Sequence, residues 1–547
     1  MTALGIALGY YAALSPWFAN LGFTVLYRPL IAGTLVGWLL GDPLTGMQVG
    51  AAINVLYLGW IGAGGHLPGD AALAGYLGTA LALLGPLPPL AVLPLVVPIS
   101  FAGGLLWLAR MRAGVHFARW TDRMLSQPPP ASKAQVVARL FLTHVLLPQL
   151  LLLLLTLLPV GLAAAWLLPP LARFLATLPP LPLPGGPYDP VRRLERAGGL
   201  LTAVGIALGM RNLFRRPFVA HFLLGFLFSV LGQHRLPGDV GLLALAGLAL
   251  ALLPPIPDGP APSEAETAPE HPAPEVQPPP PPLRRPRRLT WGDLRCSWLF
   301  WLFFSHANYN WERLQGTGFA WAMVPIHRRL QPDGETMAAA LRRHTGFFNT
   351  QPDLGSVILG VVARMEEERA EGAPVSEESV EALKRGLMGP LAGLGDTLQQ
   401  AILIPTLLAL SAMWAQERHW VGVLLYTAGM AAFVWGGGWA LYRAGYRRGR
   451  EAVLELLRGR RWQHLITGGT RMGNFLLGAL VPRFVLLQLP PTLTVGGRPI
   501  QPLLDGILPG LLPLLLTLAL WWLIARRRIS PLRCIGGLTL LGLLLGA

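Results

Sequence analysis

The stretch "KRGLMGPLAGLGDTLQQAILIPTLLAL", Lys384 to Leu410, carries the transition that decides the fold of this chain. A charged segment precedes this stretch, and the stretch ends in an apolar run that is typical of a membrane helix. Four glycines, one proline and Asp396 stand between the two. Proline interrupts helix interiors and glycine weakens them. The pattern therefore predicts an amphipathic helix that passes through a broken segment into the membrane.

The composition of the whole chain agrees with a membrane location. Of its 547 residues, 53% are hydrophobic and only 13% are charged, whereas a soluble globular domain carries about 25% charged residues. The net charge of +16 comes from short cationic clusters between apolar runs, which is the pattern of cytoplasmic loops in membrane proteins. The hydropathy excludes a soluble nucleic-acid-binding protein and indicates a multi-pass protein embedded in a lipid bilayer.

A proline-rich segment divides the chain in two. Residues 254–290 are polar and hold few large apolar side chains, so they cannot bury a core and are predicted to form an extended linker. Residues 1–253 consist mostly of apolar runs interrupted by Gly or Pro. Residues 291–400 are amphipathic, and residues 401–547 are again apolar. We predict an all-α polytopic membrane protein of two tandem helical modules with broken or re-entrant helices, the second module carrying amphipathic helices.

Four motifs of the second half occur in a fixed order: "NWERLQGTGFAWAMVPIHRRL" (310–330), "FFNTQP" (347–352), "ILGVVARMEEE" (358–368) and "LKRGLMGPLAGLGDT" (383–397). In order and spacing they resemble the IID component of the mannose/fructose/sorbose family of phosphotransferase-system (PTS) permeases. The resemblance covers nearly all of 291–547. Residues 27–83, beginning "YRPLIAGTLVGW", resemble the IIC component of the same permeases. The family normally makes these components as separate chains, and here they are fused.

The resemblance implies a function. Such a permease binds and translocates a hexose-type sugar of the mannose, fructose, sorbose or amino-sugar class, which a separate IIB protein phosphorylates. Soluble IIA and IIB proteins relay the phosphoryl group from phosphoenolpyruvate, so this chain is expected to carry no phosphorylated residue, cofactor or metal. The resemblance also implies a bacterial inner membrane location and a homotrimer of the fused chain. The alternative is an uncoupled sugar facilitator or binding protein derived from the same family.

Three residues of the first half are sugar-binding candidates. Asn54 lies inside the apolar "AAINVLYLGW", and His66 and Asp70 lie in the Gly- and Pro-broken "GAGGHLPGD". A polar side chain at membrane depth is costly and is a functional hypothesis by default. The alternative for Asn54 is a hydrogen bond between helices, worth roughly 0.6–2 kcal/mol.

The second half offers four more sugar-binding candidates. Asn310, Glu312 and Gln315 occur in "NYNWERLQ", which is predicted to be helical, and Asn349 occurs in "TGFFNTQPD". Amides and carboxylates supply the donors and acceptors that sugar hydroxyls need. From the residues alone, an ordinary polar helix face and a turn at Asn349 are favoured. The family resemblance favours a role in the sugar site or at an interface.

Further residues are candidates for structure or translocation. Arg28 belongs to the "YRPL" block, and Asp42 is expected at the exit of an apolar helix. Gly389, Pro390, Gly393, Gly395 and Asp396 form the segment described first. Their spacing favours either close helix contact with Asp396 as an N-cap, or a broken helix packed against the IIC-like half near the sugar path.

The charged helix that carries "RMEEE" is predicted to present Glu366 and Glu367 on a solvated or ion-paired face, because Arg364 and Arg369 flank them. Binding of a soluble partner is the next interpretation of this face. The two cysteines, Cys296 and Cys534, stand alone and give neither a disulfide framework nor metal-ligand spacing.

Overall fold

A computed structural model describes residues 1–60, 69–126, 130–179, 181–183, 186–214, 216–232, 239–254, 288–490 and 493–544. Within these residues the chain is almost entirely helical, apart from two short antiparallel hairpins, Leu181–Leu183 with Gly186–Tyr188 and Thr494–Val495 with Arg498–Pro499. The predicted all-α fold is confirmed. His66 and most of the predicted linker lie outside the described residues.

The described part of the first half forms eleven α-helices, several of which begin at an aspartate followed by proline or by small residues. Asp42 and Asp189 accept backbone hydrogen bonds at the starts of α3 and α9 in this way, which satisfies N–H groups that have no partner within the helix. The helices are α1 Thr2–Leu14, α2 Pro29–Leu40, α3 Pro43–Leu56, α4 Ala71–Leu84, α5 Leu93–Ser126, α6 Lys133–Leu140, α7 Leu147–Leu162, α8 Leu168–Ala176, α9 Pro190–Leu213, α10 Val219–Gly232 and α11 Asp239–Leu252.

The second half begins with short helices and continues with longer ones. A capping box between Thr290 and Asp293 starts its first helix. The helices are α12 Trp291–Phe304, α13 Gly316–Ala322, α14 Val324–Leu330, α15 Gly334–Arg343, α16 Pro352–Ala370, α17 Glu377–Asp396, α18 Ile404–Gln416, α19 Val421–Ala431, α20 Gly438–Arg448, α21 Arg450–Arg458, α22 Arg460–Phe484, α23 Ile500–Ile507, α24 Leu511–Ala525 and α25 Pro531–Leu544.

Within the described residues, four helical stretches are long and apolar enough to cross a membrane: Leu93–Ser126, Lys133–Ala176, Glu377–Gln416 and Val421–Arg448. Three of them contain π-helical turns that join consecutive α-helices. The pair α23 and α24 forms a fifth candidate that is bent by 82° at its break. Shorter apolar helices, such as α2 and α4, fall below the roughly 20 residues that a simple span needs. The chain is therefore a multi-pass membrane protein with interrupted helices.

The segment at 384–410 differs from the prediction. α17 continues through a π-helical stretch, Thr397–Leu403, into α18, so that a single helix runs from Glu377 to Gln416. Pro390 lies inside this helix and Asp396 is its interior residue, so the predicted break and the predicted N-cap are both wrong. A break here would leave backbone groups unpaired in an apolar setting, which costs more than the hydrogen bond that proline removes.

Glycines hold the two halves against each other where α10 crosses α22. A Cβ on Gly225 would lie 1.8 Å from the carbonyl oxygen of Phe475, and a Cβ on Gly478 would lie 1.9 Å from that of Phe222. Elsewhere α3 packs on α18, and α9 packs on α22, α24 and α25. One hydrophobic core therefore contains residues of both halves. The space between the halves is thus enclosed by packed helices of the fold.

Candidate functional site

A cavity of about 210 Å³ lies between the two halves. The first half contributes most of its wall, and the second half contributes two amides and two aromatic rings. The wall consists of Leu14, Asn20, Phe23, Thr24, Tyr27, Arg28, Tyr57, Trp60, Gly69, Ala71 and Trp107 from the first half, with His306, Tyr309, Pro352, Gln399, Gln400 and Ile404 from the second. The cavity has room for a small polar molecule.

Aromatic rings and hydrogen-bond donors share this wall. The rings of Tyr57 and Trp60 lie 5.1 Å apart in an edge-on arrangement, and the Arg28 guanidinium lies 5.8 Å from the centre of the Tyr27 ring. Arg28 Nε and Trp60 Nε1 are buried and have no hydrogen-bond partner among the residues that the structure describes. A buried donor without a partner costs about 1–3 kcal/mol. These two donors are therefore available to the oxygen atoms of a bound ligand.

A carboxylate stands directly behind the amide part of the wall. Asp353 is buried and accepts hydrogen bonds from Gln351 Nε2 at 2.8 Å, from Gln399 Nε2 at 2.8 Å and from Asn20 Nδ2 at 3.5 Å. No cation of the described residues forms an ion pair with it. Because Asn20 belongs to the first half and the glutamines to the second, this amide–carboxylate cluster of four residues joins the two halves at the cavity.

The segment at 384–410 supports that cluster. Gln351 caps α16 by accepting a hydrogen bond from the backbone of Leu354, and a Cβ on Gly395 would lie 2.5 Å from Gln351 Cβ. Gln400, which lines the cavity, donates a hydrogen bond of 2.8 Å to Asp396 Oδ1. Gly395 therefore permits a close approach of α17 to Gln351, and Asp396 orients a wall residue. Apart from the backbone of their own helix, no atom of the described residues lies within 4 Å of a Cβ added to Gly389 or Gly393, so the predicted close helix contact does not occur at these two positions.

This contrast gives a testable pair of variants. Gly395→Val is expected to lower the affinity of the cavity for a bound solute at least tenfold, because the added side chain displaces Gln351 and, with it, Asp353 and Gln399. The measurement is equilibrium binding of labelled solute to the purified chain. Gly393→Val is the matched control: it adds the same side chain to the same helix and is expected to bind as the wild type does. Equal affinities of the two variants would contradict the role given to Gly395.

The candidates of the first half lie in three different settings. Arg28 lines the cavity. Asp70 lies between two wall residues, but its carboxylate caps α4 and accepts a hydrogen bond of 2.6 Å from Tyr10. Asn54 is buried in α3 outside the wall, and no described residue forms a hydrogen bond with its Nδ2. Asp42 caps the start of α3 instead of ending a helix, because Gly41 in the left-handed conformation already ends α2.

Two candidates of the second half lie one layer behind the cavity. Gln315 contacts His306 Nε2 at 3.1 Å and exchanges two hydrogen bonds of 2.9 Å with the backbone of Thr350. Asn349 accepts a hydrogen bond of 3.0 Å from the Tyr309 hydroxyl. His306 and Tyr309 belong to the wall. The structure thus places Gln315 and Asn349 where they position wall residues.

The other two candidates of the second half lie away from the cavity. The segment 308–315 forms turns and not the predicted helix, because the Asn310 carboxamide accepts hydrogen bonds from the backbone of Glu312 and Arg313 and so competes with helical pairing. Glu312 forms an ion pair of 2.9 Å with Arg119. Asn310 has a structural role in this turn, and Glu312 lines a separate cleft.

Sequence reasoning missed Asp353, Gln351 and Gln399. The signal for Gln399 was present, since two adjacent glutamines interrupt the apolar "TLQQAIL" and polar groups at membrane depth are often functional. Asp353 follows a proline and was grouped with a turn. Its partners are distant in the chain, so only the fold shows that these residues form one cluster.

The helices and the cavity define a class: a multi-pass helical membrane protein whose two halves enclose a small aromatic and polar site. Family comparisons place it more narrowly. Residues 2–253 match the model described as "PTS system sorbose-specific iic component", and residues 288–547 match "PTS system mannose/fructose/sorbose family IID component". The chain belongs to the mannose/fructose/sorbose family of the phosphotransferase system and joins its IIC and IID components in one polypeptide.

Individual relatives agree with this assignment. The mannose-specific EIID component of Escherichia coli (strain K12) is 36% identical over 271 residues, which cover 47% of this chain and 93% of that relative. The fructose permease IID component of Bacillus subtilis (strain 168) is 35% identical, over 44% of this chain and 90% of that relative. The mannose-specific EIIC component of E. coli K12 is 37% identical over 97 residues, 18% of this chain and 36% of that relative.

Among solved structures, one described as the mannose transporter ManYZ in complex with microcin E492 is 35% identical to this chain. It aligns over 47% of this chain and 96% of its own chain, with a TM-score of 0.29. A second, described as a membrane protein, has the same identity and coverage and a TM-score of 0.43.

Proposed function

We propose that this chain is the membrane permease of a phosphoenolpyruvate-dependent sugar phosphotransferase system and that it binds a hexose-type sugar in the cavity between its halves. The observation that carries the site assignment is the set of aromatic and polar side chains in the cavity wall. Trp60 and Trp107 offer aromatic surface to an apolar sugar face, and Arg28 Nε and Trp60 Nε1 offer donors to sugar oxygens. Ligand sites typically combine such apolar surface with a few placed polar groups. Relatives whose names specify mannose, sorbose and fructose support the substrate class.

We propose further that a separate IIB protein phosphorylates the bound sugar and that soluble IIA and IIB proteins are the partners of this chain. Family membership supports this assignment. We also propose that the chain lies in the bacterial inner membrane and forms a homotrimer. In this proposal residues 1–253 are the IIC-like domain, residues 254–290 the linker and residues 291–547 the IID-like domain.

Reconstitution tests both parts of the proposal. The purified chain is inserted into vesicles and offered labelled mannose, fructose, sorbose and glucosamine, with or without a phosphorylated IIB protein. We expect sugar to accumulate only as sugar phosphate and only with the phosphoryl donor. Downhill uptake of free sugar without the donor would instead identify the uncoupled facilitator.

A variant pair ties that activity to the cavity. Trp60→Phe keeps the aromatic surface and removes one donor, so it is expected to weaken sugar binding about tenfold, the effect of losing roughly 1.4 kcal/mol. Trp522→Phe is the control, because Trp522 is 44% exposed and lies outside the wall. If Trp60→Phe binds sugar as the wild type does, the cavity is not part of the path that the sugar takes.

A further inference from the structure

Three side chains of metal-binding residue types meet in the amphipathic part of the second half. His327 on α14, His344 at the end of α15 and Glu366 on α16 are all buried. His344 Nε2 lies 3.1 Å from His327 Nε2 and 3.3 Å from Glu366 Oε1. One ligand atom from each residue lies within 4.8 Å of the other two. This cluster is distinct from the cavity and was not predicted from the sequence. The sequence predicts a solvated or ion-paired face for Glu366, whereas the structure buries this residue and pairs it with Arg343.

We propose that His327, His344 and Glu366 bind a divalent metal ion of the zinc class. Zinc bonds to nitrogen and oxygen are about 2.0–2.1 Å long in tetrahedral sites, so neighbouring ligand atoms lie roughly 3.3 Å apart. The two closest pairs of the cluster match that spacing. Two imidazoles and one carboxylate suit zinc, whereas magnesium and calcium favour sites made of oxygen atoms.

The hydrogen bonding of the cluster also favours a cation at its centre. Two imidazole nitrogens in contact can share one proton between them, and that proton leaves Glu366 Oε1 unsatisfied. Glu366 Oε1 is buried and contacts His344 Nε2 at 3.3 Å, and one proton on that nitrogen cannot serve both Oε1 and His327 Nε2. A metal ion satisfies all three ligand atoms at once.

Neighbouring cations leave the metal-facing atoms free. Arg343 contacts Glu366 through its other oxygen, Oε2, at 3.4 Å. Lys384 forms an ion pair of 2.9 Å with Glu381 and lies 4.8 Å from the centre of the Phe319 ring. These cations therefore hold the carboxylate in place without occupying Oε1.

An entry path reaches the cluster from solvent. His344 and Glu366 line a cleft of about 1030 Å³ whose other walls carry Arg342, Glu377 and Glu381. An ion can reach His344 and Glu366 through this cleft. Because the three ligands come from three consecutive helices, the ion would clamp α14, α15 and α16 together, as structural zinc sites do in other folds.

Metal analysis of the full-length chain tests the proposal. The protein is purified with an affinity tag that contains no histidine, stripped with a chelator, incubated with one equivalent of zinc and desalted. We expect about one zinc per chain by elemental mass spectrometry and a higher midpoint of thermal unfolding than in the stripped protein. Cobalt in place of zinc is expected to give the visible absorption of a low-symmetry nitrogen and oxygen site.

Three variants assign the ligands. His327→Gln and Glu366→Gln are expected to lose the metal and its stabilising effect. His419→Gln removes an exposed histidine and is expected to keep both. A folded wild-type chain that retains no zinc overturns the proposal, and so does full stoichiometry in either ligand variant. The wild-type measurement decides the question even if a variant fails to fold.

Discussion

Asp353→Ala is expected to abolish sugar uptake by the reconstituted chain, a loss of about a hundredfold or more. The carboxylate accepts hydrogen bonds from Gln351, Gln399 and Asn20, and the cluster is buried. Its removal leaves at least two buried amide donors without an acceptor, each at a cost of about 1–3 kcal/mol. The amides are then expected to turn toward the cavity or to draw water into it. Both changes disorder the wall where the two halves meet.

In this experiment a loss of uptake must be distinguished from a loss of folding stability. Asp353→Asn keeps the shape of the side chain but replaces one acceptor oxygen by a donor, so an intermediate loss is expected. Asp505→Ala is the control, since Asp505 also accepts a hydrogen bond from a glutamine one helical turn away, Gln501, but lies outside the cavity. Uptake is measured together with the midpoint of thermal unfolding. Wild-type uptake by Asp353→Ala would show that transport does not depend on the cluster.

The class of fold could be predicted from the sequence, because an apolar segment long enough to cross a membrane can adopt few structures. Backbone groups in lipid must be paired internally, so long apolar segments predict helices directly. The path of each helix was less predictable. Pro390 and three nearby glycines resemble a break, yet the helix continues from Glu377 to Gln416. The local sequence favours a break in the helix, but a break would leave backbone groups unpaired, and that costs more free energy. The cost depends on the surroundings of the segment in the fold, which the local sequence does not encode.

Prediction of the site failed for a related reason. Arg28 was found because its block resembles the family, and it lines the cavity. Gln315 and Asn349 were found as polar residues in motifs, but they contact the wall from behind.

The contact between Asn20 and Asp353 spans 333 positions of the chain. Such a pairing follows from the packing of the two halves, which a single sequence without its fold does not reveal. The cluster of His327, His344 and Glu366 was missed similarly, because its members are spread over three helices.

Gly478→Val is expected to separate the two halves, and Gly225→Val is expected to have the same effect. Each glycine faces a carbonyl oxygen of the opposite helix, so an added Cβ would lie 1.9 Å or 1.8 Å from that oxygen. No rotamer change relieves a contact between a Cβ and a backbone atom, so the crossing of α10 and α22 must widen. Overpacking typically costs about 1–3 kcal/mol, and backbone contact places these substitutions at or above the top of that range.

Cleavage between the halves makes this effect measurable. A protease site is placed in the proline-rich segment, the purified full-length chain is cut, and size-exclusion chromatography follows the two fragments. Wild-type fragments are expected to elute together, because α10 packs closely on α22 and one hydrophobic core contains residues of both halves. Gly241→Val is the control, since outside its own helix backbone no described atom lies within 4 Å of a Cβ at that position on α11. If the fragments of Gly478→Val and Gly225→Val elute together with wild-type stability, the halves are held by other contacts, and the cavity between them does not depend on this crossing.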